Sequence, residues 1–318
     1  MTLDMDQSIH EKYKHYYWGI PDSPIDWCEN NYQISPYICE FYNTFSSFAI
    51  SFFALYGVFL LTYPFGGKLQ QHVKILKSLE IRGRTLLAYA ALSTVGVGSA
   101  FYHATLLYKH QLFDEFPMVI SVSLFVYCIL TIRPISKQDS PKYRLFRHLL
   151  PWVLSLYVCV VAGTIFVIRD VPTILQVSFG ALVFILITIS QQTIKTVEEP
   201  LFKSNPKRLL LYSTISMVTA YFSWLIERKL CSDGGYVIPG LQLHAIWHVL
   251  TGLSGFYWMQ FYLCLYLEKL NYKTQIIWSW FGVGSIIANI KSSSPNLNNQ
   301  NNQNNNNNNN NLNNINTN

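Results

Sequence analysis

Charge is scarce in this chain. Only 13% of its 318 residues are Asp, Glu, Lys or Arg, while 50% are hydrophobic; soluble domains carry about 25% charged residues. The deficit excludes an ordinary soluble globule and points to a membrane protein. The formal charge of +6 says little by its sum, because in a membrane protein the placement of basic residues matters more; no nucleic-acid partner is expected. No cleavable leader is expected. The opening "MTLDMDQSIHEKYKHYYWG" has no apolar core, so the first membrane helix is expected to start insertion. The far end lacks anything that could pack. From Asn296 the chain is almost wholly Asn and Gln, and 295–318 is read as a disordered tail.

What the chain does have is long apolar runs. A bilayer-crossing helix needs about 20 mostly apolar residues. Seven stretches meet or approach this: 41–63, 85–108, 114–132, 149–168, 171–193, 209–226 and 240–267. They predict an all-α membrane protein, a seven-transmembrane helix bundle over 41–268. An eighth run, "IIWSWFGVGSIIANI" at 276–290, is short and holds two Gly. It is read as interfacial or packed against the bundle, within a juxtamembrane segment 269–294. Basic residues then set the orientation. One face collects Lys68, Lys74, Lys77, Arg82 and Arg84, then Arg133, Lys137, Lys142, Arg144 and Arg147, then Lys195, Lys203, Lys207 and Arg208. The other has Lys109, Arg169, Arg228 and Lys229 in its loops. The richer face belongs in the cytosol. The N-terminus is therefore expected to be lumenal or extracellular, and the C-terminus cytosolic.

Ionisable groups inside spans are costly and mark functional candidates. The second span holds Ser99 and His103, the third opens with Asp114 and Glu115, and the seventh holds His244 and His248. Residues four apart share a helical face, so Ser99 and His103 point one way from the second span, and His244 and His248 one way from the seventh. The alternating direction of the spans puts all of these groups at similar depth on the non-cytosolic side. Three imidazoles at one depth suit zinc, whose catalytic sites use three protein ligands and keep one position for water. Asp114 could move the water's proton, and Ser99 could hydrogen-bond a ligand or steady an oxyanion. The bland alternative is a structural polar cluster, since a lone intramembrane His is often just hydrogen-bonded within its bundle. Haem fits poorly, because two His on one helix face cannot take opposite sides of one iron.

The segment 1–40 ends in "PIDWCENNYQISPYICE". Asp26, Glu29, Asn31 and Glu40 offer oxygens there, with the Trp27 carbonyl among them. No EF-hand pattern is present, and spacing alone reads as a solvated acidic loop. Of six cysteines, Cys128, Cys159 and Cys264 lie within spans and are read as packed thiols. Cys28 and Cys231 fall on the side where disulfides persist, with Cys39 as a competing partner.

Five motifs, "DWCENN", "CEFYNTFSS", "GVGSAFYHATL", "QLFDEFPM" and "LHAIWHVLTGL", resemble the alkaline ceramidase family in order and spacing from Asp26 to Leu267. The resemblance implies an intramembrane amidase that cleaves ceramide to a sphingoid base and a fatty acid, with ceramide entering sideways from the bilayer. It implies zinc on His103, His244 and His248, water activation by Asp114, and support from Ser99. It also implies a structural or regulatory calcium ion on Asp26, Trp27, Glu29, Asn31 and Glu40, and a Cys28–Cys231 disulfide. An endoplasmic reticulum or Golgi membrane is expected, with no obligate protein partner. Two rival readings stand beside it. One is a zinc-binding signalling receptor like the related adiponectin receptors, although the outer loops are short for a ligand-binding part. The other is a lipid-remodelling hydrolase acting on another substrate.

Overall fold

The computed structural model describes residues 17–64, 66–133, 136, 138–167, 173–232 and 242–291. Lys12, Lys14, Lys137, Arg169, the expected start of the seventh span at 240–241 and the Asn-rich tail lie outside them. Among the described residues the elements run α1 Phe41–Thr62, α2 Gly67–Lys77, α3 Ile81–Thr105, α4 Tyr108–Leu130, α5 Pro141–Val167, α6 Thr173–Ile194, α7 Asn205–Ser232 and α8 Leu243–Lys269, then β1 Tyr272–Trp278 and β2 Gly284–Lys291.

The chain is an integral membrane protein: α1, α3, α4, α5, α6 and α7 are each long and apolar enough to cross a bilayer. The expected spans fall on helices, but α3, α4, α5 and α7 begin earlier than the apolar runs at 85, 114, 149 and 209 suggested. Asp114, expected at the mouth of the third span, sits in the second turn of α4. The basic loop after α1 contains a helix that hydrophobic runs did not reveal. It is α2, with His72, Val73 and Leu76 buried and Lys74 and Lys77 exposed.

The eighth helix is the centre of the molecule. Every residue from Ser254 to Leu267 is buried, and α1 and α7 pack along its flanks. Small residues make this possible. A Cβ on Gly252 would lie 2.7 Å from the Ile50 Cα of α1, so only glycine lets those backbones approach. On the other flank, Ser213 donates to the Ser254 carbonyl and Ser254 donates back to the Ser213 carbonyl, a pairing typical of helices in lipid. In contrast, among the described elements α5 packs only on α4 and α6. Its Cys159, expected to be packed, is exposed.

The apolar run at 276–290 is not helical. It forms most of an antiparallel β-hairpin with Ile276 opposite Ile286, appended to a bundle that is otherwise all-helical as expected. It does pack against the bundle: Phe281 lies 5.7 Å from the Phe52 ring and 5.2 Å from the Tyr56 ring of α1. The outward amides of β2 need acceptors, since an unsatisfied buried N–H is costly. Three side chains supply them. Gly284 N donates to Tyr257 Oη at 3.4 Å, Ile286 N to Gln260 Oε1 at 2.9 Å, and Ala288 N to His72 Nδ1 at 3.0 Å.

His72 must be neutral to accept that bond, and burial lowers its pKa from 6.5 to about 4. The folded value lies below the unfolded one, so its contribution is complete above pH 6.5 and is lost as pH falls toward 4. Thermal unfolding in detergent should therefore show a steeper loss of Tm from pH 6.5 to 4 for the wild type than for His72→Gln, whose amide oxygen accepts without titrating. Parallel curves would remove this role for His72.

Candidate metal centre and active site

Three buried imidazoles meet where α3 ends and α8 begins. His103, His244 and His248 are at most 4% exposed. Each offers a ring nitrogen within 4.8 Å of the other two. Ring centroids lie 5.0 Å apart for His103 and His244, 4.9 Å for His103 and His248, and 4.5 Å for His244 and His248. The helical four-residue spacing read in the sequence supplies the α8 pair, and the end of α3 supplies the third.

Neighbours fix each ring. His103 Nδ1 donates to Glu40 Oε2 at 2.5 Å. Ser46 Oγ lies 2.8 Å and Ser47 Oγ 3.3 Å from His248 Nδ1. Trp27 stacks on His244 with centroids 3.6 Å apart, and the backbone N–H of His244 donates to Glu227 of α7. Two nitrogens are left over: His103 Nε2 and His244 Nδ1 are buried without a hydrogen-bond partner. Buried polar atoms normally find partners, and three clustered imidazoles, two of them with an unpaired nitrogen, fit a divalent cation of the zinc type.

Ser99 and Asp114 join this cluster. Ser99 Oγ is 3.4 Å from His248 Nε2 and accepts from Ser47 Oγ at 3.0 Å. The Asp114 carboxyl interacts with the Ser99 side chain. Their approach depends on Gly98, where a Cβ would stand 1.9 Å from the Phe113 carbonyl oxygen. Only a bare backbone lets α3 press against α4 at the residue before Asp114.

An apolar cavity of about 600 Å³ adjoins the cluster. Ser99, Asp114, Glu115, His244 and His248 line its polar end, and mostly apolar side chains of α1, α3, α4, α6, α7, α8 and the N-terminal loop line the remainder. Phe184 of α6 and Phe222 of α7 line it while remaining 70% and 57% exposed. The cavity thus opens sideways between two helices that would face lipid.

The acidic loop is not simply solvated. Glu29 accepts from Tyr42 N at 2.7 Å and Asn43 N at 2.9 Å, capping the first turn of α1. Glu40 is fully buried. It accepts from Trp27 N, from Asn43 Nδ2 and from His103. Asn31 Nδ2 donates to both Asp26 oxygens, while Asn31 Oδ1 is buried with no partner. Burial pushes the Glu29 and Glu40 carboxyls upward, and neighbouring carboxylates add to it. A cation among these oxygens would reverse that penalty, and the oxygen-only donor set suits calcium.

The loop is pinned on all sides. Cys39 N and Glu40 N donate to the carbonyls of Ala104 and His103. Cys28 is bridged to Cys231 of α7, with Cα atoms 5.3 Å apart, while Cys39 is free and buried. Of the side chains at the site, Glu227, Ser46, Ser47 and the Trp27 ring were not singled out from sequence. Glu227 carried a readable sign, an acid within the apolar helix α7.

The described geometry has relatives. A family model described as Ceramidase matches residues 19–289. The chain is 58% identical over 280 residues to the "Putative alkaline ceramidase dcd3B" of Dictyostelium discoideum, covering 87% of this chain and 98% of that one. It is 33% identical to "Alkaline ceramidase 3" of Mus musculus, covering 82% and 90% of the two chains. "Alkaline ceramidase YPC1" of Saccharomyces cerevisiae is 30% identical, with 83% of each chain covered.

Contact at Gly98 is tested by Gly98→Ala. Overpacking of this kind costs about 1–3 kcal/mol, so Tm should fall by several degrees. Gly163→Ala in α5, where a Cβ meets nothing within 4 Å, should not lower it. Equal Tm values for the two variants would refute the close approach.

Proposed function

The chain belongs to the alkaline ceramidase family and is a ceramide-hydrolysing enzyme, and from that premise we propose a zinc-dependent amidase with its site inside the membrane. One observation carries the proposal: two unpaired, buried imidazole nitrogens beside a third imidazole, at the polar end of an apolar cavity. His103, His244 and His248 would hold the ion. When bound, zinc would supply Lewis acidity toward the amide carbonyl and lower the pKa of a water to around 7.

The chain's own residues then have distinct tasks. Glu40 accepts a hydrogen bond from His103 Nδ1 and so fixes which nitrogen faces the ion. Asp114 takes the proton of the attacking water and returns it to the amine nitrogen as the C–N bond breaks. One water is consumed, and a fatty acid and a sphingoid base result. Ser99 steadies the oxyanion of the tetrahedral state. The apolar walls hold the two hydrocarbon chains and keep bulk water away, while the opening between α6 and α7 admits lipid from the side.

The same premise extends to topology. α8, at 27 residues, measures about 40 Å and serves as the seventh crossing, its polar groups shielded by its central place. The basic loops lie at one end of the bundle, and the site and the disulfide lie at the other. That supports a lumenal N-terminal segment, a cytosolic C-terminus and an endoplasmic reticulum or Golgi membrane. The segment 1–40 would bind calcium through Asp26, the Trp27 carbonyl, Glu29, Asn31 and Glu40, and 269–294 would be a juxtamembrane element. Calcium there is structural or regulatory, since its ligands carry the loop that orients His103.

Purified protein should contain about one zinc per chain by elemental analysis and release fatty acid from ceramide. His103→Ala should lose both zinc and turnover. Asp114→Asn should keep zinc and lose at least about 100-fold in kcat. Wild-type turnover in Asp114→Asn would remove the proton-transfer role.

The calcium site is separable from the zinc site. Asn31→Ala should shift calcium-dependent stability while leaving zinc content unchanged. Glu40→Gln touches both sites and should lower zinc affinity about 10- to 100-fold as well. Calcium titrations of Tm that coincide for wild type and Asn31→Ala would count against calcium at this loop.

A further inference from the structure

The proposed chemistry leaves one cavity-lining acid unused. Glu115 follows Asp114 on α4 and lines the same polar end as Ser99, Tyr102 and Asp114. Gln111 Nε2, one turn earlier, donates to Glu115 Oε1 at 3.0 Å. Gln111 is itself held, accepting from Ser23 Oγ at 3.0 Å. Ser23 Oγ lies 2.9 Å from Tyr102 Oη, and Tyr102 donates to the Ile25 carbonyl. This chain of bonds fixes the Glu115 carboxyl through one oxygen. Among the described residues, Oε2 receives no hydrogen bond. Arg228 of α7 acts on Glu115 electrostatically, and among the described residues Glu115 has no ion-pair partner.

A fixed carboxyl oxygen at the wall of an apolar cavity wants a hydroxyl donor. Fatty acyl chains offer none. The polar head of a ceramide offers two, on the carbons either side of the one bearing the amide nitrogen. With the amide between the histidines and Asp114, those hydroxyls lie within a few ångströms of the scissile bond, and the wall there includes Glu115. We propose that Glu115 is a specificity-determining residue that accepts a hydrogen bond from a head-group hydroxyl of the sphingoid base. The assignment rests on the ceramidase reading of the same site. A site built to bond a substrate hydroxyl discriminates strongly against the analogue lacking it, because its own polar group is then left unpaired.

The test compares ceramide, 1-deoxyceramide and 3-deoxyceramide with wild type and Glu115→Gln, measuring kcat and KM for each pair at fixed detergent and calcium. Wild type should prefer ceramide over one of the two deoxy substrates by about tenfold or more. Glu115→Gln should lose that preference: kcat/KM for ceramide falls about tenfold, mainly through KM, while the discriminated deoxy substrate is cleaved as well as before. Its unchanged cleavage also shows that the variant is folded. An equal fall for all three substrates would assign Glu115 to chemistry or structure and overturn the proposal. Unchanged discrimination would overturn it too. Failure of wild type to cleave ceramide would instead sink the ceramidase reading, a separate result.

Discussion

Two imidazole nitrogens without a partner, His103 Nε2 and His244 Nδ1, are the constraint from which the site follows. An unpaired buried polar group costs on the order of 1–3 kcal/mol, and side chains of the N-terminal loop and α1 hold the rings in place. Glu40 orients His103, Ser46 and Ser47 orient His248, and Trp27 lies flat on His244. A bound cation would satisfy both nitrogens at once.

Glu40 also joins two sites that look separate in sequence. Its carboxyl receives Trp27 N from the acidic loop and His103 Nδ1 from the imidazole cluster. Moving the loop therefore moves the ring. The backbone repeats the coupling, because Glu40 N donates to the His103 carbonyl. Calcium bound by that loop would act on zinc through one carboxyl, with no long pathway required.

Much of this was legible before any coordinates. Apolar runs marked the crossing helices because lipid demands continuous apolar faces. Helical spacing paired Ser99 with His103 and His244 with His248, and the alternation of spans placed them at one depth. The hairpin was not legible. Strand β2 is buried along most of its length, so it lacks the polar alternation that identifies a half-buried strand, and its apolar run could be read only as interfacial or packed against the bundle. Amphipathic α2 was hidden among lysines for the opposite reason. Glu227, Ser46 and Ser47 touch the site only through tertiary packing, and no local pattern announces that. The oxygen cluster of the N-terminal loop was readable by family resemblance alone, because its members come from irregular backbone with no period.

Glu227 shows how scarcity of charge sharpens such readings. The first amides of α8 have no intrahelical acceptor, and a carboxylate near a helix N-terminus is favoured by the helix dipole. Glu227 supplies it from α7, receiving the His244 N–H. One turn further along α7, Cys231 is bridged to Cys28 in the acidic loop. The loop, α7 and the start of α8 are thus tied together around His244 by a covalent bond and a carboxyl. In a chain with so few charges, an acid inside an apolar helix is expensive unless it meets a specific donor. The donor here belongs to the backbone of a proposed metal ligand. Most of the charges buried around the cavity follow the same rule: Glu40 serves His103, Glu227 serves His244, and Asp114 meets Ser99.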